Sequence, residues 1–191
     1  MGNKAIKRKA EEHLGRGMPK RQVFDLLMAE FPEAQPKKVA EVLRYMPTLQ
    51  ARERYRSLHR LLMAAIALHA VLRVLRPALD ADFVWADPSR IVGVVPFATL
   101  LLGYSVYRWR GQLFEWVGWM NVIGAYGAIK VLQVWQNGGG DAWRTVYSLL
   151  PVGIGALALY LAHKVFAKPK VERDPVGQRA KRYVFPEEGM M

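Results

Sequence analysis

Hydrophobic and polar positions divide the chain into three stretches of different rhythm. Up to about residue 57 the apolar positions come in short sets at helical spacing, broken by prolines. Residues 3–16 (NKAIKRKAEEHLGR) form a basic, weakly amphipathic segment that Gly17-Met18-Pro19 interrupts. Pro19 is suited to open a second helix, whose apolar set is Val23, Leu26, Leu27 and Ala29 with Phe24 and Phe31. Pro32 ends it and Pro36 opens a third, with Val39, Ala40, Val42, Leu43 and Met46 on its apolar face before Pro47. The spacing therefore predicts a three-helix segment within residues 1–56, too small to be robust alone.

From Leu58 the short sets give way to long apolar runs: Leu58–Leu79, Ile91–Trp109, Leu113–Trp135 and Thr145–Phe166. At about 1.5 Å per helical residue, a run of roughly 20 residues crosses a hydrocarbon core of about 30 Å. Four such runs with short connectors predict an all-α fold, a four-helix transmembrane bundle over residues 57–167. The third stretch, residues 168–191, is rich in Pro, Gly and charge and reads as an extended tail. Its aromatic anchor, Tyr183-Val184-Phe185-Pro186, is expected to lie along a partner or the N-terminal helices.

Charge converts this pattern into a topology. The chain has 191 residues and carries 28 Lys and Arg against 16 Asp and Glu, a net charge of +12. Residues 1–60 hold 14 of the cations, residues 164–191 hold seven, and Arg108 and Arg110 mark the connector between the second and third runs. The 80–90 and 138–144 connectors are acidic or neutral. This alternation predicts both termini on the cytoplasmic side of a bacterial cytoplasmic (inner) membrane. Trp109, Trp116, Trp135 and Trp143 fall near expected span ends, as interfacial aromatics do. No cleavable leader is expected, because the first apolar run begins only at Leu58. The basic excess is thus read as inner-leaflet contact, assigned to Arg56, Arg60, Arg108, Arg110, Lys164 and Lys168, at about 1 kcal/mol per cation. Nucleic acid is not expected as a partner: Glu30, Glu33 and Glu41 interrupt the basic face of the N-terminal helices. That segment is similar in size and rhythm to ubiquitin-associated and helix-turn-helix units. It carries no motif of either, and no function follows from the likeness.

Polar residues at membrane depth are costly and so are the candidates for function. His69, Arg73 and Arg76 share a face of the first run, and Lys130 and Gln133, with Tyr126 and Asn137, share one of the third. If the two stripes face each other they line an outer vestibule for an anion or an anionic lipid headgroup. If not, they snorkel or meet another subunit. Small residues mark helix packing: Gly124 and Gly127 with Gly118 on the third run, Gly155, Ala158 and Ala162 on the fourth. Val95-Pro96 and Leu150-Pro151 begin the second and fourth runs alike, which suggests an internal duplication.

Catalytic chemistry is not expected. The chain lacks the metalloprotease, nucleophile-elbow and P-loop motifs, and has no carboxylate pair at membrane depth. With no cysteine, disulfides, thiolate metal sites and a catalytic thiol are excluded. Haem held by His59 and His163 is weighed and set aside, because each is followed by a cation (Arg60, Lys164), the mark of an interfacial position. No cofactor is expected. The sequence points to a non-catalytic accessory or scaffold subunit, with lipids and other membrane subunits as partners. The competing reading is a homo-oligomeric channel or an anion- or headgroup-handling transporter.

Overall fold

The computed structural model describes residues 3–78, 96–123, 125–139, 142–173 and 181–186. These residues are mostly helical and the chain divides into two units, one from residues 1–56 and 161–191, the other from residues 57–160.

The first unit begins with α1 (Asn3–Gly15), α2 (Lys20–Glu30), α3 (Pro36–Arg44) and α4 (Leu49–Arg54). Helix α1 ends because Gly17 turns left-handed at φ +83, letting its own N–H reach the Leu14 carbonyl and that of Met18 reach His13. Pro36 opens α3 at a position where the missing N–H costs nothing. Thr48 caps α4, its Oγ1 accepting the Ala51 N–H at 3.2 Å. Ile6, Ala10 and Leu14 line one face of α1 at four-residue steps and bury with Val23, Leu27, Val39, Ala40, Leu43 and Met46.

The tail supplies the rest of that core. It is extended, as its composition suggests, but not solitary: β1 (Lys170–Arg173) pairs antiparallel with β2 (Lys181–Val184), Val171 opposite Tyr183. Phe185 follows the hairpin into the helical core, and the Phe24 ring meets Tyr183 at 5.6 Å and Phe185 at 5.8 Å. Arg44 Nε donates to the Phe166 carbonyl at 3.3 Å, a second tie between the N-terminal helices and the C-terminal segment. A unit of this size is marginal, and burying one Phe contributes roughly 1.5–3 kcal/mol.

The second unit holds α5 (Arg56–Ala78, from Ser57 onward), α6 (Phe97–Tyr107), α7 (Gly111–Ile123), α8 (Ala125–Gln136) and α9 (Ala142–Val165, up to Tyr160). Helix α5 turns Leu62, Ile66 and Ala70 inward, again at four-residue steps. Gly103 of α6 admits Ile66, whose Cγ2 would stand 3.2 Å from a Cβ there. Helices α7 and α9 cross at glycines: a Cβ on Gly118 would collide with the Leu159 side chain, and one on Gly155 would lie 3.1 Å from the Gly118 carbonyl. Ala158 and Ala162 of α9 are buried as well.

Of the expected four spans, two are found among the described residues as helices long and apolar enough to cross a membrane: α5 over Arg56–Leu75, with mean hydropathy 1.6, and α9 over Thr145–Val165, with 1.7. Helix α6 has 11 residues, and along the expected third span the described residues are helical on both sides of Gly124, as α7 (13 residues) and α8 (12 residues). Residues 79–95, which include the start of the expected second span, and Gly124 lie outside the described residues.

Burial in the two units is opposite in kind. Of the 25 large apolar side chains exposed among the described residues, 22 belong to residues 57–160. Trp119, Ile123, Tyr126 and Leu101 are each more than 60% exposed.

Candidate functional site

Polar side chains converge on the α8–α9 pair. Gly127, Lys130, Gln133 and Asn137 follow one face of α8 and its C-terminal turn at steps of three, three and four. With Val131, Val134 and Ser148 of α9 they line an open recess of about 450 Å³. The Lys130 ammonium sits over the Tyr126 ring, 5.0 Å from its centroid. Helix α8 ends where Gly138 turns left-handed at φ +78, with Gly138 N–H bonded to Trp135 O and Gly139 N–H to Val134 O. Beside the recess, Trp135 Nε1–H donates to Thr145 Oγ1 and ties the two helices together. Among the described residues Lys130 is the one charged group lining it.

The stripe on α5 goes elsewhere. His69 stacks on Tyr147 of α9 at 5.4 Å, and Arg73, one turn on, is exposed. Tyr147 and Ser148 are consecutive on α9, about 100° apart around its axis. His69 and the recess therefore meet different sides of α9. The condition that the two stripes face each other draws no support from these contacts. Arg76 lies on α5, and its side chain is outside the described residues, as is Asp80 entirely.

The small-residue face is likewise split. Gly155, Ala158 and Ala162 are engaged, whereas a Cβ on Gly127 would meet open space, so Gly127 opens the recess instead of packing a helix. Gly124 lies outside the described residues. The suggested duplication also weakens, since Pro96 stands before the first residue of α6 while Pro151 is inside α9.

A second polar arrangement sits at the start of α5. The buried His59 donates Nε2–H to the Val106 carbonyl at 3.0 Å; a carbonyl can only accept, which fixes the tautomer. Its ring stacks on Trp109 at 4.1 Å and tilts toward Phe114 at 6.2 Å. Trp109 ends α6 at φ +53, with its N–H on Val106 and that of Arg110 on Ser105. That is the turn Gly17 and Gly138 make elsewhere, here built with tryptophan. The Nε2 of His59 is thus engaged by the backbone. Among the described residues no three His, Asp or Glu side chains gather as a metal site. The cations expected at the inner face are mostly exposed: Arg56, Arg60, Arg108, Arg110 and Lys168, with Lys164 half-buried.

Three features escaped the sequence reading: Ser148 in the recess, the left-handed Trp109, and the pairing of the tail. Comparison with known protein families, characterised proteins and solved structures gave no match to this chain.

Proposed function

We propose that this protein is a non-catalytic, multi-pass membrane subunit that organises a larger assembly. Its second unit would sit in the lipid, and its helical unit with the tail hairpin would face the cytoplasm. The observation that carries the reading is the inverted burial of residues 57–160, which hold 22 of the 25 exposed large apolar side chains. A surface of that kind aggregates in water and is stable against acyl chains or another apolar helix. Exposed Arg60, Arg108 and Arg110 at helix ends suit phosphate headgroups of the inner leaflet. The apolar faces of α7 and α8 left uncovered supply area for neighbouring subunits or a second copy.

The competing reading, an oligomeric channel or anion-handling transporter, draws on the recess around Lys130. It is disfavoured by the separation of that recess from His69 and Arg73 across α9.

The cysteine-free chain is a ready background for the test. Membranes bearing Glu11→Cys or Gly139→Cys are first washed in alkaline carbonate, then exposed to a membrane-impermeant maleimide. Retention in the membrane, with Gly139→Cys labelled in intact cells and Glu11→Cys only after permeabilisation, supports the reading. Release by carbonate refutes membrane embedding. Mass spectrometry of what copurifies in mild detergent then separates a scaffold from a lone symmetric oligomer.

A further inference from the structure

The recess between α8 and α9 has a composition that selects one kind of occupant. Among the described lining residues Lys130 brings the one positive charge, the Gln133 and Asn137 amides and the Ser148 hydroxyl bring hydrogen-bond donors, and none is acidic. A lone cation on an apolar surface is costly in lipid unless a counter-charge meets it. We propose that the recess is a headgroup site for an anionic glycerophospholipid carrying one net negative charge, as phosphatidylglycerol does.

The charge balance is one to one. A phosphodiester offers one negative charge and two unbridged oxygens, which Lys130 and the neighbouring amides and hydroxyl can satisfy as donors. Phosphatidylcholine brings its own cation, for which the described lining residues offer no counter-charge. The cation–π contact with Tyr126 places the ammonium, whose N–H groups turned away from the ring can donate to the ligand. The volume of about 450 Å³ exceeds what inorganic phosphate fills, and the surrounding surface argues for a lipid. Ile129 and Leu132 on α8 and Val146 and Leu149 on α9 are all at least 43% exposed and provide a track for acyl chains. By helical rise, both Lys130 and Ser148 lie six residues, about 9 Å, from the ends of their helices at Gln136 and Ala142. That depth is where a headgroup meets its chains.

The proposal rests on the membrane reading above and is tested separately from it. The full chain is purified in mild detergent, stripped of lipid by exchange, and offered phosphatidylglycerol, phosphatidylcholine or inorganic phosphate. Native mass spectrometry and thermal unfolding are the readouts. The expected result is retention of phosphatidylglycerol with a raised Tm, and neither effect with phosphatidylcholine or phosphate. Lys130→Gln should weaken phosphatidylglycerol retention about ten-fold or more, Lys130→Arg should preserve it, and Ser148→Ala should weaken it about five-fold. Should Lys130→Gln fail to fold, Ser148→Ala alone decides. Equal retention of phosphatidylcholine, a Tm rise reproduced by phosphate alone, or wild-type binding in folded Lys130→Gln overturns the proposal. A protein that resists carbonate yet shows no headgroup preference sinks the site and leaves the membrane reading standing.

Discussion

His59 lies flat against Trp109, the two rings 4.1 Å apart and 16° from parallel, at the turn that joins α6 to α7. Among the described residues three helices end in a left-handed residue: two use glycine, at 17 and 138, and α6 uses Trp109. A side chain there costs about 1–2 kcal/mol of backbone strain, which the stack on His59 and the contact with Phe114 offset.

An ordering of variants follows from this balance. Trp109→Ala keeps the strain and loses the stack, and should lower stability by roughly 2–4 kcal/mol. Trp109→Gly loses the stack but relieves the backbone, and should be less harmful than alanine by about 1 kcal/mol. Thermal unfolding in detergent measures both; a glycine variant no better than alanine refutes the strain argument.

Glycines 118, 155 and 127 should respond differently to the same methyl group. Gly118→Ala drives into Leu159, and Gly155→Ala meets the carbonyl of Gly118, so each should destabilise by about 1–3 kcal/mol. Gly127→Ala enters open space on a helix and should be neutral or stabilising by up to about 1 kcal/mol. Melting temperatures of the three variants in one detergent give the comparison, and a uniform loss would argue against the α7–α9 crossing.

Phe185→Ala empties a place in the helical core of the first unit and should cost about 3 kcal/mol. Hydrogen exchange is the informative readout in the full chain. Amides around Val23, Leu27 and Leu43 should lose protection while those of α7 and α9 keep theirs. Unchanged protection near Leu27 would show that the tail contact contributes nothing.

Thr48→Ala removes the cap of α4 and should cost about 1 kcal/mol, whereas Thr48→Ser should be close to neutral. Exchange rates of the Ala51 amide, which donates to Thr48 Oγ1, report this directly.

Local signals in the sequence translated well into structure. Proline and glycine set the limits of α1, α2 and α3, and the spacing of Val39, Ala40, Leu43 and Met46 picked out side chains that are all buried. What depends on pairing distant segments did not translate. Strands KVER and KRYV carry no alternation of apolar and polar residues, so their partnership was invisible, although the Phe185 anchor was not. Ser148 was missed because the rotation of α9 against α8 is not written in either helix alone. Lys130 and Gln133 could be joined with His69 and Arg73 only on the condition that their stripes face each other. Depth along a helix is legible from spacing, but the side on which a neighbour packs is not. Trp109 was read only as an interfacial aromatic, since the left-handed position it fills usually announces itself by glycine.

The core of the first unit joins Ile6 to Phe185, two residues far apart along the chain. Synthesis runs from one to the other, so the N-terminal helices leave the ribosome long before the residue that completes their packing exists. Every helix of the second unit must be made in between. Completion of the small unit is thereby a record that translation has reached the tail. A prematurely terminated chain would present Phe24, Val23 and Leu27 without their aromatic cover, a difference that quality-control proteases can sense.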